Sequence, residues 1–190
     1  MKQEKVNQVV EETEGRARIL TGWQLKFVAS IAFLWSLFQL WYASPFPFMV
    51  GFGVFIDVPA RAIHLGFGLF LAFLSFPFYK KNRLKQFDYF NIFLALLSAF
   101  VTFYLFFNYE NLVYRNGILL KQTINIFGKI YEFPTELVIG FIGILLLLEA
   151  TRRAIGTPLV VVASIFLIYS FFGQSMPELI SHQGLSLKRL

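Results

Sequence analysis

The chain has 190 residues, of which 57% are hydrophobic, 19% aromatic and only 15% charged, with a formal charge of +6. A soluble domain is closer to half apolar and a quarter charged, so this chain carries more apolar surface than a water-soluble core of its size can hide, and a bilayer is the solvent that accommodates it. The lack of cysteine excludes disulfides, thiolate metal sites, iron–sulfur clusters and a cysteine nucleophile, and the positive charges sit between hydrophobic runs, where membrane topology explains them better than nucleic acid does.

Residues 1–22 mix Lys2, Lys5, Arg16 and Arg18 with Glu4, Glu11, Glu12 and Glu14. A secretory signal moves straight from a short basic region into an apolar core, so this stretch is expected to be a polar cytoplasmic tail. Trp23 to Ala43 is the first apolar run, close to the roughly 20 residues that a helix needs to cross the hydrocarbon. Trp23 at one end and Trp41 with Tyr42 at the other mark its interfaces. Ser44-Pro45-Phe46-Pro47 ends it, because proline lacks the amide donor. Residues 48–60 are apolar but broken by Gly51, Gly53 and Pro59, which predicts a re-entrant or interface-lying loop.

A second span is predicted over Arg61–Tyr79, followed by the basic cluster Lys80-Lys81-Asn82-Arg83-Leu84-Lys85. A third covers about Phe87–Phe107. Residues 108–134 hold no uninterrupted apolar run and predict an extramembrane loop, with room for a surface-lying amphipathic helix. Pro134-Thr135 opens a fourth span through Leu148, which closes on Glu149-Ala150-Thr151-Arg152-Arg153. Gly156 and Pro158 make a tight turn before a fifth span at about Leu159–Phe172. The fold class is therefore an all-α integral membrane protein of about five transmembrane helices.

Orientation follows from lysine and arginine. With the N-terminus inside, the inner side holds Lys2, Lys5, Arg16, Arg18, Lys26, Lys80, Lys81, Arg83, Lys85, Arg152 and Arg153, and the outer side only Arg61, Arg115, Lys121, Lys129, Lys188 and Arg189. The bias predicts N-in, and five spans then place the C-terminus outside.

Charged side chains in spans are costly and need a reason. Arg61 and His64, three residues apart on one helix face, read either as a proton or ion relay or an anion site, or as an interfacial anchor with Arg61 pairing to Asp57. Glu149, Arg152 and Arg153 share a helical turn and read either as a topology-setting cap or as a docking surface for lipid headgroups or another subunit. The pairs Gly51-x-Gly53 and Gly66-x-Gly68 lack the third glycine of a nucleotide fingerprint and predict close helix packing or a bend. No catalytic spacing, nucleotide loop or metal-ligand cluster is present in the sequence, so neither an enzyme nor a cofactor is expected.

These residues also carry a resemblance. Arg61-Ala62-Ile63-His64-Leu65, then Leu147-Leu148-Glu149-Ala150-Thr151-Arg152-Arg153-Ala154-Ile155-Gly156, then Tyr169, Pro177, His182-Gln183-Gly184-Leu185-Ser186 and Arg189-Leu190 follow one another as in the N-terminal part of the fused permease subunits of TRAP transporters, the type paired with TAXI-class binding proteins. The resemblance covers roughly residues 20–190, and the segment between Arg115-Asn116-Gly117 and Pro134-Thr135 is longer than the family's usual connection.

The resemblance implies a tripartite secondary transporter of the bacterial or archaeal inner membrane. A periplasmic solute-binding protein delivers a solute, often an organic acid, to a large permease subunit driven by an ion gradient, and a small four-helix subunit braces that partner. On this reading 1–22 is the tail, 23–153 the four-helix scaffold, 154–173 a connecting helix and 174–190 a periplasmic tail that stops about where the transport domain would begin. The family's substrate and ion sites lie in the large subunit, so Arg61, His64, Glu149, Arg152, Arg153 and Gly156 are expected to contact structure, partner or membrane lipids. The alternative is a standalone membrane interaction or assembly protein with no transport role.

Overall fold

The computed structural model describes residues 17–78, 87–115, 121–126, 129–173 and 181. The basic cluster at 80–85, residues 1–16 of the tail, and Glu178, His182, Lys188 and Arg189 lie outside the described residues. The chain forms α1 (Gly22–Ala43), a single turn α2 (Phe46–Val50), α3 (Asp57–Ser75), α4 (Tyr89–Tyr114), a hairpin of β1 (Lys121–Ile126) and β2 (Lys129–Pro134), α5 (Thr135–Ala154) and α6 (Thr157–Phe172). Three helices, α1, α3 and α4, are long and apolar enough to cross a membrane. Helix α6 is apolar but only 16 residues long, and α5 carries charge at both ends.

Helix α1 follows the first apolar run almost residue for residue. Ser30 and Ser36 do not break it, because each hydroxyl donates to the carbonyl four residues back, at 2.8 and 3.0 Å. A hydroxyl satisfied by its own helix carries no unmet polar group into hydrocarbon. The helix stops where Ser44 turns its own N–H and hydroxyl back onto the Trp41 carbonyl.

Within 48–60 the structure places helical turns at both edges of the expected re-entrant or interface-lying loop. Phe46–Val50 is one helical turn closed by Gly51 at φ 71°, and residues 52–56 are irregular, with Gly53 also at φ 71°. Pro59 does not lie in a loop. It occupies the first turn of α3, where an amide has no intrahelical partner to lose, so the second span starts at Asp57 rather than Arg61. The same span ends at Ser75 rather than Tyr79. Phe76 precedes Pro77, which excludes the α conformation, and its φ of −113° and ψ of 103° are extended.

Helix α4 is longer than its apolar run. Asn108, Tyr109, Glu110 and Asn111 are polar but contain no breaker, so the helix continues to Tyr114. At 26 residues it measures about 39 Å, more than the roughly 30 Å of a hydrocarbon layer.

In place of the surface helix expected within 108–134, the described residues of 121–134 form two strands. Lys121 pairs with Pro134 and Ile126 with Lys129 in an antiparallel ladder. The β-branched and aromatic residues Thr123, Ile124, Ile126, Ile130, Tyr131 and Phe133 favour strands, and a glycine in a two-residue connection is a hairpin signal that outweighs the weak helical periodicity here. The helical protein thus carries one hairpin between α4 and α5.

Successive long helices run antiparallel, and α3 packs most extensively on α4. The apolar core is Leu69, Phe73 and Leu74 of α3, Ala95 of α4, and Leu146 and Ala150 of α5. Lipid tails are as apolar as leucine, so hydrophobic burial contributes little to helix association in a bilayer, and close fit matters more. Gly66 supplies that fit: a β-carbon there would lie 2.7 Å from Thr102 Oγ1 of α4. Outward, large apolar side chains such as Phe33, Leu40, Phe100 and Phe166 are exposed along whole helix faces. Such continuous apolar exposure fits a lipid-facing surface.

Candidate functional site

One end of the bundle collects the residues before α1, the C-terminus of α3, the N-terminus of α4 and the C-terminus of α5. Arg153 in the last turn of α5 is the centre of a polar network there. Its Nε donates to Glu149 Oε1 at 2.7 Å, and its Nη1 donates to Asn91 Oδ1 of α4 at 2.8 Å and, more weakly, to the Phe76 carbonyl after α3 at 3.4 Å. Its side chain is 1% exposed. The guanidinium lies over the rings of Phe73 and Phe78, at 5.0 and 5.2 Å from the centroids. Aromatic faces attract a desolvated cation, which compensates for water withdrawn from this group.

Glu149 also accepts a two-pronged contact from Arg152, Nε to Oε2 at 2.8 Å and Nη2 to Oε1 at 2.9 Å. Such forked pairs are the strong, directional form of an ion pair. The network continues beyond α5. Asn91 Nδ2 donates to Asp88 Oδ2 at 3.3 Å, and Asp88 faces Arg18 at 3.8 Å. Arg18 is itself tied to α3 by its backbone N–H on the Ser75 carbonyl at 2.7 Å. Burial holds its guanidinium below the ordinary arginine value, and Asp88 opposes that shift. Three guanidiniums thus meet two carboxylates, leaving one net positive charge in this network.

Gly156 completes the region. It precedes α6 with φ 123°, a conformation that L side chains rarely adopt, and its N–H donates to the Thr151 carbonyl at 3.1 Å. The glycine is required by the turn between α5 and α6, as the Gly156-x-Pro158 spacing predicted.

The opposite end is organised differently. Arg61 pairs with Asp57 at 2.8 Å, and both side chains are more than half exposed, the arrangement of the interfacial anchor reading. His64 is not joined to Arg61. It turns toward α1, where Nδ1 lies 2.6 Å from Gln39 Nε2 and 3.3 Å from Trp35 Nε1, with the Trp35 ring edge-on at 5.0 Å. Farther out, Arg115 after α4 donates to Glu136 in the first turn of α5 and clamps the base of the hairpin. Between α1, α3 and α4 lies an apolar cavity of about 210 Å³, walled by Ile31, Gly66, Phe67, Phe103 and Phe106 among others. Its one hydroxyl, Thr102, is engaged with its own helix carbonyls.

Sequence reading therefore found the α5 cluster but missed the partners that bury it, Asn91, Asp88 and Arg18, and missed Trp35 and Gln39 as the neighbours of His64. Asn91 and Gln39 had a signal: each is an amide side chain inside an apolar run, and polar groups there seek one another. Among the described residues no group of His, Asp and Glu is placed to hold a metal ion.

The fold and these sites define a helical protein of membrane character whose polar side chains bridge helices. Comparison with protein families, with curated proteins and with solved structures gives no match.

Proposed function

We propose that this chain is the small scaffold subunit, or the equivalent N-terminal portion, of a TRAP-type secondary transporter. In this reading five helices span the inner membrane, with the hairpin on the periplasmic side and the Arg153 network at the cytoplasmic interface. The observation that carries it is that network. The residues of the Glu149-Ala150-Thr151-Arg152-Arg153 segment, the most specific part of the resemblance, join four separate stretches of chain at one end of the bundle. A frame against which a larger permease moves needs helices held in fixed relation, and buried directional contacts provide that.

The net positive charge of the network, to which Arg18 contributes, supports the N-in orientation by the distribution of cations. The apolar cavity, whose hydroxyl is already engaged, offers no polar handle for an organic acid, which supports placing the solute and ion sites in the partner. The scaffold acts by holding its helices still, and the permease and a periplasmic binding protein do the moving and delivering.

The test is reconstitution. Proteoliposomes holding this chain alone, under sodium and proton gradients, are expected to take up no organic acid above empty vesicles. Gradient-driven uptake by the chain alone would overturn the scaffold role. A neighbouring or downstream reading frame encoding a many-span permease beside a binding protein supports the transporter assignment, and unrelated neighbours favour a standalone assembly protein.

A further inference from the structure

The apolar cavity lies halfway along all three helices that enclose it. Ile31 is the tenth of 22 residues in α1, Gly66 the tenth of 19 in α3 and Ala99 the eleventh of 26 in α4. These are the three helices long and apolar enough to cross a membrane, and the midpoint of a crossing helix sits in hydrocarbon whichever end faces inward. Helices α1 and α4 each pack on α3 more than on one another, which leaves a crevice with α3 as its floor. Ala62 and Gly66 are buried on that floor, whereas Phe103 on the α4 wall is 53% exposed. The space therefore runs inward from the apolar surface of the bundle.

Size and lining restrict what can fill it. The hydroxyl of Thr102 lies 2.9 and 3.0 Å from the carbonyls of Ser98 and Ala99 and is held by its own helix. The other lining side chains are apolar. A water molecule needs two or more polar partners and an organic acid needs donors, and the lining supplies neither. At about 210 Å³ the cavity exceeds the ~150 Å³ that takes benzene or xenon in an apolar protein interior, but it is too small for another helix, which is about 10 Å across. What fits is a ring or a short run of methylenes without a polar group. Halfway through a bilayer, the abundant molecules of that chemistry are lipid tails.

We propose that this crevice is an acyl-chain site: one lipid tail enters between α1 and α4 and ends against Ala62 and Gly66. The tail gives Ile31, Phe67, Phe70 and Phe106 the van der Waals partners that an empty space denies them, and so completes the packing of α1 on the α3–α4 pair. The inference needs the bilayer but not the transporter reading, and either can fail without the other.

The test reads alanine methyl groups by NMR. The full chain, deuterated except for ¹³C-labelled alanine methyls, is placed in nanodiscs of a saturated phosphatidylcholine. Ala62 is 2% exposed and has no route to the lipids around the bundle except through the crevice. Cross-peaks from acyl-chain protons are expected at Ala62 and Ala99. None is expected at Ala95 and Ala150, which are as buried but belong to the packed core. Chain-deuterated lipid is expected to erase the Ala62 cross-peak. A cross-peak that survives there comes from a free apolar molecule and overturns the lipid assignment. Cross-peaks to water, or none at all, overturn it as well.

Filling the space supplies a second arm. Ala99→Phe puts a ring into the crevice from α4 and is expected to abolish the acyl cross-peak at Ala62, with the Ala95 and Ala150 resonances unmoved as the sign of an intact core. Ile31→Phe fills it from α1 and serves if the first variant disturbs the fold. An Ala62 cross-peak that persists in a filled, folded variant contradicts the proposal.

Discussion

The two ends of this bundle treat charge in opposite ways. At the end formed by Arg18, Asn91 and the last turn of α5, Arg153 is buried and joined through Asn91 and Glu149 to neighbours on two helices. At the other end Arg61 and Asp57 pair within one helix, in the open, at a spacing of four residues. The same chemistry, a guanidinium beside a carboxylate, does different work in each place. A local exposed pair contributes little because solvent and headgroups screen it and both side chains remain mobile. A buried pair with partners on several elements fixes how those elements meet, and its removal leaves polar partners on those elements unpaired.

That contrast can be broken most sharply at Arg153. Replacing it by alanine leaves Glu149 with one partner and Asn91 with an empty acceptor, and is expected to destabilise the protein by about 3 kcal/mol, the scale for breaking a buried ion pair. The check is thermal unfolding in detergent, followed by tryptophan fluorescence and size-exclusion profile. Gly66→Val comes next. Its β-carbon alone reaches within 2.7 Å of Thr102 Oγ1, so α3 and α4 must separate, at about 2 kcal/mol. Thr102→Ala in the same chain is expected to recover part of that loss, whereas additive effects of the two changes would show that the close approach is not the cause.

Asn91→Leu is expected to cost about 1–2 kcal/mol, since both Arg153 and Asp88 lose a hydrogen-bond partner. Because Asn91 and Arg153 touch, their double variant should lose less than the sum of the single losses. The smallest effect belongs to the opposite end: Arg61→Gln is expected to change stability by no more than about 0.5 kcal/mol. A loss at Arg61 matching that at Arg153 would erase the distinction between the ends.

How much of this could be read from the residues follows the same division. Apolar runs set α1 and the middles of α3 and α4 because hydrocarbon thickness dictates their length. The ends were less legible. Pro59 and Pro77 both break helices in general, but one stands in a first turn, where it is tolerated, and the other holds Phe76 out of the α conformation, so that the helix ends at Ser75. Residues 121–134 carried strand-forming side chains and a glycine, yet the scattered basic residues, isoleucines and leucines of 108–134 suggested an interfacial helix.

At the sites, Glu149, Arg152 and Arg153 declared themselves because their spacing is local. Asn91 and Arg18 come to Arg153 and Asp88 only through the antiparallel packing of α3, α4 and α5, which no local pattern encodes. His64 misled for the same reason: its nearest charged residue in sequence is Arg61, but helix rotation turns the ring toward α1 and Gln39.

The claim that the buried network fixes the frame is tested most directly by spin-label distances in lipid nanodiscs. The chain has no cysteine, so Tyr89→Cys and Ile155→Cys, both exposed and flanking the network on α4 and α5, can be labelled cleanly. A single narrow distance distribution is expected in this background, and a broad or multiple one when Arg153→Ala is added. A distribution that stays narrow and unshifted without Arg153 would contradict the account.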